Sequence, residues 1–263
     1  MHQANNSYKA NKSLGQHFLN DESVCTRIVD QIPEIDNSTQ VIEIGPGPGV
    51  LTKYLFQKIP NDLHLIEYDK RFVEVLSKHY PTLSNQIYEA DVLRFDFNSI
   101  DGNCILVGNF PYNISSQILF KALDYKEKIP MVIGMFQKEM AQRVAAKHGN
   151  KSYGILSILI QAFYNVTYLF DVPPTVFSPP PKVMSGVIKL EFQSNKFAIL
   201  EHKVFVTMVK LAFNQRRKTM RNSLKSMIMQ YQIDDAAIFD KRPEQLSVLE
   251  LVELANYFVE HKK

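Results

Sequence analysis

The tetrapeptide Asn109-Phe110-Pro111-Tyr112 combines residue types that could activate and hold an aromatic amine. An exocyclic amine on an aromatic ring is a poor nucleophile because its lone pair is delocalised into the ring. The side-chain oxygen of Asn109 and the backbone carbonyl of Phe110 could accept both N–H bonds out of the ring plane and localise that lone pair. Pro111 stiffens the turn and adds no competing N–H, and Tyr112 offers a ring on which an unstacked base could lie. Alternatively, these residues are only a turn that closes a strand.

A glycine-rich turn, Gly45-Pro46-Gly47-Pro48-Gly49, follows a β-branched run that ends at Ile44. Glycine lets the backbone turn tightly and lets a ligand approach it closely. Such a turn is typical of a nucleotide-type cofactor site at the carboxyl ends of parallel strands. The spacing differs from the dinucleotide fingerprint because Val50 stands in place of the third glycine, which argues against a nicotinamide enzyme. A turn that merely redirects the chain is the alternative.

Acidic residues follow three successive strand-like runs. Glu43 precedes the glycine turn, where it would fit a cationic ligand better than a pyrophosphate. Glu67 ends the second run about 20 residues later, a position suited to accepting ribose hydroxyls, and Asp91 follows the third. Each carboxylate alone could be a solvent-facing strand end. Together they predict a nucleoside ligand that carries positive charge.

These side chains need a sheet to bring them together, and the sequence predicts one. Strand-like runs alternate with helical patterns, which indicates a mainly parallel α/β sheet of Rossmann type, covered on both faces. The predicted strands are 40–44, 63–68, 86–90, 103–107 and 130–136, with helices at 50–58 and 70–80, and with 166–172 and 185–192 pairing as an edge hairpin. The tetrapeptide then follows the fourth strand on the edge that holds the glycine turn, which favours a functional site there.

The character of the chain changes after about residue 195. The patterns at 202–213 and 219–229 are helical, and Ser247 with Glu250 forms a capping box before a last amphipathic helix. No strand signal appears in this part. We therefore expect a domain at 1–195 that includes a basic N-terminal arm at 1–20, and a small all-helical domain at 196–263.

Positive charge is concentrated in that helical part. No acidic residue lies between Glu201 and Asp234, whereas this stretch includes Arg216, Arg217, Lys218, Arg221 and Lys225. Clustered basic residues suit a polyanion, although a solvated helix face explains them equally well. The spacing of residues 217, 221 and 225 predicts a basic stripe along one helix, suited to RNA phosphates.

Composition argues against membrane, secreted and metal-binding proteins. The chain has 263 residues, 45% of them hydrophobic, and a net charge of +3, so it can build a substantial core. No apolar run approaches the roughly 20 residues needed to cross a bilayer, and the polar N-terminus does not read as a secretory signal. Cys25 and Cys104 match no metal spacing and read as reduced thiols. We expect a cytoplasmic protein with no metal and no membrane partner.

Five motifs together resemble the rRNA adenine N6-dimethyltransferase family, in order and over essentially the whole chain. They are Gly15-Gln16-His17-Phe18-Leu19, the turn that begins at Glu43, the tetrapeptide at 109–112, Phe177-Ser178-Pro179-Pro180-Pro181-Lys182-Val183, and the segment 215–222. The resemblance implies a class I S-adenosylmethionine-dependent methyltransferase. It also implies dimethylation of two adjacent adenines in the 3′-terminal hairpin loop of small-subunit (16S) rRNA, late in 30S assembly. Antibiotic resistance, to kasugamycin, is implied on loss of that activity.

The resemblance also implies roles for individual residues. Those at the cofactor are His17 and Leu19 from the arm, Gly45 at its methionine part, Glu67 at the ribose, Asp91 at the adenine amine, and Asn109, which touches both cofactor and target. Phe177 would cover the face of a flipped adenine opposite Tyr112; the alternative is an aromatic ring that caps the core. Many members have Asn in place of His17 and Leu in place of Phe110. Neither departure threatens the assignment if both residues act through their backbone.

Two further functions stay open on the sequence. The large-subunit (23S) rRNA adenine methyltransferases of macrolide resistance share the Asn-x-Pro-Tyr chemistry, although the segments at 177–183 and 215–222 favour the small subunit. An assembly factor that binds immature 30S subunits, with methylation secondary, is also compatible with the motifs. We expect a monomer.

Overall fold

The computed structural model describes residues 9–36, 38–194, 196–233 and 236–261. The first eight residues of the predicted arm, and Asn195 at the predicted domain boundary, lie outside the described residues. Within the described ranges, no helix has the length and hydropathy to cross a membrane. In the same ranges, no three His, Cys, Asp or Glu residues are grouped to hold a metal ion.

The strands agree closely with the periodicity of the sequence. They are β1 (Phe18–Leu19), β2 (Thr39–Ile44), β3 (Leu63–Glu67), β4 (Ile87–Glu89), β5 (Asn103–Asn109), β6 (Met131–Gln137), β7 (Tyr164–Val172), β8 (Phe177–Ser178) and β9 (Ser185–Phe192). β5 runs two residues further than expected, so Asn109 is its last residue.

The helices predicted at 50–58, 70–80 and 202–213 begin and end within one residue of those bounds, whereas the helices between residues 115 and 161 were not predicted. The α-helices are α1 (Glu22–Val29), α2 (Val50–Lys58), α3 (Lys70–His79), α4 (Ser115–Asp124), α5 (Lys138–Val144), α6 (Ile155–Gln161), α7 (His202–Asn214), α8 (Met220–Ser223), α9 (Lys225–Tyr231) and α10 (Val248–Glu260). Asp21 caps α1 through its side chain, and Ser247 and Glu250 form the predicted capping box of α10.

The main sheet has the order β4-β3-β2-β5-β6-β9-β7. β2 pairs in parallel with both β3 and β5, β3 with β4, and β5 with β6, whereas β9 runs antiparallel to β6. The predicted α/β class is confirmed, and β7 and β9 are neighbours at one end of the sheet as expected. The chain proceeds from β2 toward β4 and then returns to β5, so the strand order reverses beside β2. Open α/β sheets bind ligands at the carboxyl ends of strands at such a switch point.

The described chain forms two compact units, and their boundary differs from the predicted one. Of the described residues, the first unit holds those within 9–141 and 167–191, and the second holds those within 142–166 and 192–261. Segment 142–166, expected in the sheet domain, thus groups with the C-terminal helices. The reason is that α6, which is largely buried, packs against α7, a long-range apolar contact that local periodicity does not encode.

The predicted helix 219–229 is interrupted at Leu224. Its torsion angles (φ −102°, ψ 11°) depart from helical values and separate α8 from α9. The hydroxyl of Ser223 donates to the carbonyl of Thr219 at 3.2 Å, a bond type that competes with the helical backbone pattern. Arg217 precedes α8 altogether, so the expected basic stripe along one helix is wrong.

Candidate active site

A cavity opens in the first unit at the carboxyl ends of β2, β3 and β5. Its wall includes predicted residues from the arm, the strand ends and the tetrapeptide, namely His17, Leu19, Gly45, Glu67, Asp91, Asn109, Pro111 and Tyr112. The carboxyl ends of neighbouring parallel strands meet at one edge, which brings Gly45, Glu67, Asp91 and the tetrapeptide together, and the N-terminal arm adds His17 and Leu19. The expectation that the glycine turn and the tetrapeptide share one cleft is confirmed.

The glycine turn depends on left-handed backbone torsion angles. Gly45 and Gly47 have φ values of 66° and 55°, a region that residues with a side chain rarely adopt. A Cβ atom at Gly45 would lie 3.7 Å from the ring of Pro111, so the turn and the tetrapeptide are in close contact. At Gly45 and Gly47 the turn therefore presents backbone to the cavity, and Pro46 and Pro48 line the cavity beside them.

Glu67 anchors this turn from the end of β3. Its carboxylate accepts hydrogen bonds from the backbone N–H of Gly47 at 2.9 Å and of Asp69 at 2.7 Å. The side chain is buried, and burial raises the pKa of Glu67 while the two N–H bonds oppose that rise. Each carboxylate oxygen retains a second lone pair, so Glu67 can still accept hydroxyl groups of a ligand in the cavity.

Glu43 is the most deeply buried acid of the cavity wall. The hydroxyl of Thr52 donates to its carboxyl group at 2.6 Å, and burial raises the pKa of Glu43 to about 8. In the ligand-free protein it is therefore largely protonated at neutral pH. A cation bound nearby would favour the ionised form, so this residue suits the positively charged ligand inferred from the sequence.

The raised pKa of Glu43 makes stability depend on pH. The folded protein holds this proton more tightly than the unfolded chain, so its contribution is complete below about pH 4.5 and is lost as pH rises through about 8. Glu43→Gln keeps an acceptor for Thr52 without an ionisable proton. We expect the variant to exceed the wild type in free energy of unfolding at pH 8–9 by roughly 2–5 kcal/mol, with the difference shrinking toward pH 5. Urea denaturation across pH 5–9 measures this, and parallel curves for the two proteins would contradict it.

Asn109 is oriented by the N-terminal arm. Its amide nitrogen donates to the backbone carbonyl of His17 at 2.8 Å. This bond fixes which end of the amide is the donor, and no described residue donates to the side-chain oxygen. The oxygen is thus left as an acceptor at the cavity wall, as the proposed chemistry of an aromatic amine requires.

The ring of Phe110 holds the tetrapeptide in place. It is fully buried and packs edge-on against Phe136 at 5.1 Å between ring centroids. Gly134 makes room for it, because a Cβ at that position would lie 2.4 Å from the Phe110 ring. Since the ring is used for packing, Phe110 can reach a ligand only through its backbone.

The arm is fastened to this site by several bonds. The side-chain amide of Gln16 donates to the carboxylate of Asp69 at 3.0 Å, and Arg71 donates to the carbonyl of Lys9 at 3.2 Å. Arg71 also pairs with Asp69 and holds the pKa of that carboxyl at about 2. Asp69 therefore stays ionised and keeps the arm along the cavity.

His17 faces the ring that was predicted to carry the base. Its imidazole stacks on Tyr112 with centroids 5.5 Å apart and 28° between planes. Its Nδ1 donates to the carbonyl of Pro179 at 2.8 Å, and the hydroxyl of Tyr112 bonds Ser185 Oγ at 2.6 Å. His17 thus contacts Asn109 through its backbone and Tyr112 through its ring.

Phe177 does not line the cavity, contrary to its predicted place opposite Tyr112. It pairs with Leu19 in the short sheet formed by β1 and β8, and it is only 4% exposed within the apolar core. This position matches the alternative interpretation, an aromatic ring that caps the core, and its predicted role at the target adenine stays a prediction. The physical reason is the β1–β8 pairing, which turns its side chain inward.

The model of the ribosomal RNA adenine dimethylase family matches residues 7–259. The chain belongs to this family. It is similar to the ribosomal RNA small subunit methyltransferase A of Cytophaga hutchinsonii, with 50% identity over 249 residues (94% of this chain, 96% of the relative). The protein of the same name from Flavobacterium johnsoniae is 50% identical over 248 residues (94% of each chain).

Solved structures share the fold of this dimethylase-family chain. A dimethyladenosine transferase from Plasmodium falciparum has a TM-score of 0.78 at 24% identity, covering 93% of this chain and 98% of its own. The 23S rRNA methyltransferase ErmE has a TM-score of 0.64 at 24% identity, covering 91% and 99%. The Rossmann-like methyltransferase fold expected from the sequence is confirmed.

Two residues that the sequence reasoning missed also line the dimethylase cavity. Tyr68 and Val92 directly follow Glu67 and Asp91, and Tyr68 is 64% exposed. They offer apolar surface beside each acid. Their position one residue after an acid that ends or closely follows a strand was a signal that could have found them.

The predicted RNA-binding residues of the second unit fall into two groups. Arg216 donates to the backbone carbonyls of Asn150 and Lys151, and Arg221 pairs with Asp240 at 2.8 Å. Both make hydrogen bonds or ion pairs within the protein, and their contact with RNA stays a prediction. Arg217, Lys218 and Lys225 are exposed instead.

Proposed function

We propose that this chain transfers methyl groups from S-adenosylmethionine to the exocyclic amine of adenine in small-subunit rRNA. Its target is two adjacent adenines in the 3′-terminal hairpin loop, each dimethylated late in 30S assembly. The observation that carries the proposal is the side-chain oxygen of Asn109, held as an acceptor in the cavity that Gly45 and Glu67 also line. The relatives named small subunit methyltransferase A support the choice of subunit.

The cavity fits S-adenosylmethionine by charge and by backbone. Three acidic side chains, Glu43, Glu67 and Asp91, line it, while Gly45 and Gly47 present backbone without a Cβ. In the proposed complex Gly45 lies along the methionine part, Glu67 accepts the ribose hydroxyls and Asp91 the adenine amine, with His17 and Leu19 closing over from the arm. When bound, the cofactor supplies an electrophilic methyl group on a positively charged sulfur.

The remaining residues prepare the acceptor nitrogen. Asn109 and the carbonyl of Phe110 accept the two N–H bonds of the target amine and localise its lone pair, while Tyr112 supports the ring of the flipped base. Pro111 keeps the turn rigid. Positioning and dispersal of charge account for the rate, so no strong general base is assigned.

The second unit is proposed to bind the rRNA. Its exposed Arg217, Lys218 and Lys225 suit contacts to phosphate, which position the RNA without reading bases. We further propose that the protein acts in the cytoplasm, since its substrate particle is assembled there. We also propose that it acts as a monomer.

Methylation of isolated ribosomal subunits tests the proposal. Small and large subunits from cells that lack this protein are incubated separately with the enzyme and tritiated S-adenosylmethionine, and the labelled nucleotides are mapped. We expect label on the small subunit, on two neighbouring adenines that each receive two methyl groups. Label on the large subunit alone would overturn the assignment in favour of the macrolide-resistance type. A methylation-dead variant that restored normal 30S maturation would favour a primary assembly role.

A further inference from the structure

A basic loop at 147–151 stands out in the second unit. All five residues are exposed, and three of them have basic side chains: Lys147, His148 and Lys151. The loop follows α5 and precedes α6. None of its residues belongs to a motif that pointed to the function.

The loop has a defined conformation. The backbone N–H of Asn150 bonds the carbonyl of Lys147 at 3.3 Å, and the side chain of Asn150 accepts from Ser152 N–H at 2.8 Å. Gly149 takes a left-handed φ of 80°, and its N–H donates to the carbonyl of Glu244 at 2.7 Å. The exposed lysines therefore extend from an ordered turn.

Arg216 fixes this turn to a second basic segment. Its guanidinium donates to the carbonyls of Lys151 and, at 3.1 Å, Asn150, and its Nε lies 3.9 Å from the carboxylate of Glu244. The next two residues in sequence, Arg217 and Lys218, are exposed. Arg216 thus keeps the loop next to Arg217 and Lys218. Its own N–H groups donate to backbone carbonyls of the loop.

We infer that the loop at 147–151, together with Arg217 and Lys218, forms one surface that binds RNA phosphates. Lys147 and Lys151 contact the RNA directly, and Arg216 is a positioning residue that holds the loop. This inference rests on the proposed function and extends its RNA-binding surface to a segment outside the 215–225 cluster. Four exposed cations on two fixed turns suit the sequence-independent part of RNA binding.

The double variant Lys147→Ala, Lys151→Ala tests the direct contacts. Each lost phosphate contact reduces the slope of log K against log[salt] by about 0.7–0.9. For binding to undermethylated small subunits between 50 and 200 mM KCl, we expect the double variant to have a slope smaller in magnitude by roughly 1.5. KM should rise with kcat unchanged, because these contacts are the same in ground and transition states. The matched control is Lys203→Ala, Lys210→Ala, which removes the same charge from exposed positions on α7.

Arg216→Lys separates positioning from direct contact. It preserves the positive charge but cannot reproduce the paired bonds to two carbonyls, so we expect it to lose about as much of the salt slope as the loop variant. A loop variant that behaves like the α7 control, or like the wild type, overturns the inference. That failure is distinct from failure of the proposed function, in which the wild-type protein itself would neither bind nor methylate small subunits.

Discussion

Replacing Asn109 with alanine is expected to lower kcat for methyl transfer about 10²–10³-fold while changing cofactor affinity only a few-fold. The side-chain oxygen of Asn109 would hold one N–H of the target amine in the transition state, and its loss leaves the lone pair delocalised. The amide is already oriented in the free protein, by its bond to the His17 carbonyl. The measurement is single-turnover methylation of undermethylated small subunits, alongside cofactor binding by calorimetry.

Asn109→Asp sharpens this test because it preserves shape. A carboxylate cannot donate to the His17 carbonyl, so the bond that orients the group is replaced by repulsion between two acceptors. We expect this variant to be as impaired as the alanine variant. Asn113→Ala is the matched control, since it removes the same amide from an exposed position on the same cavity wall. Wild-type activity in Asn109→Ala would remove Asn109 from the mechanism.

Replacing Glu67 with alanine is expected to weaken S-adenosylmethionine binding by a factor of roughly 10²–10⁴, because two charge-assisted hydrogen bonds to the ribose are each worth about 1.5–3 kcal/mol. The variant also deprives the buried N–H groups of Gly47 and Asp69 of their acceptor. The glycine turn would then lose the contact that holds it in the binding geometry. Calorimetric titration with the cofactor measures the effect.

Glu67→Gln distinguishes the charge from the packing. The amide has one acceptor oxygen where the carboxylate has two, so one of the two backbone bonds is lost while the volume is preserved. We expect an intermediate loss of affinity. Glu89→Gln provides the control, because Glu89 lies directly opposite Glu67 in the register of β3 and β4 but is exposed. Unchanged affinity in Glu67→Gln would show that this carboxylate does not hold the ribose.

The pattern of the sequence determined the sheet and most of the cavity wall. Alternating strand and helix periods required parallel strands, and parallel strands bring their carboxyl ends to one edge. Glu67, Asp91 and Asn109 each lie at or just beyond a strand end, so their convergence followed from local patterns alone. The motifs then named the family, which the match over residues 7–259 confirmed.

Contacts between residues distant in the chain decided the orientation of several side chains and the boundary of the two units. Local periodicity does not encode such contacts. Pairing of β1 with β8 turned Phe177 into the core, and the His17 carbonyl set the direction of the Asn109 amide. Arg216 donates hydrogen bonds to the backbone of Asn150 and Lys151, about 65 residues away in the chain. Composition alone had suggested only a contact to phosphate. Apolar burial of α6 likewise moved segment 142–166 into the helical unit.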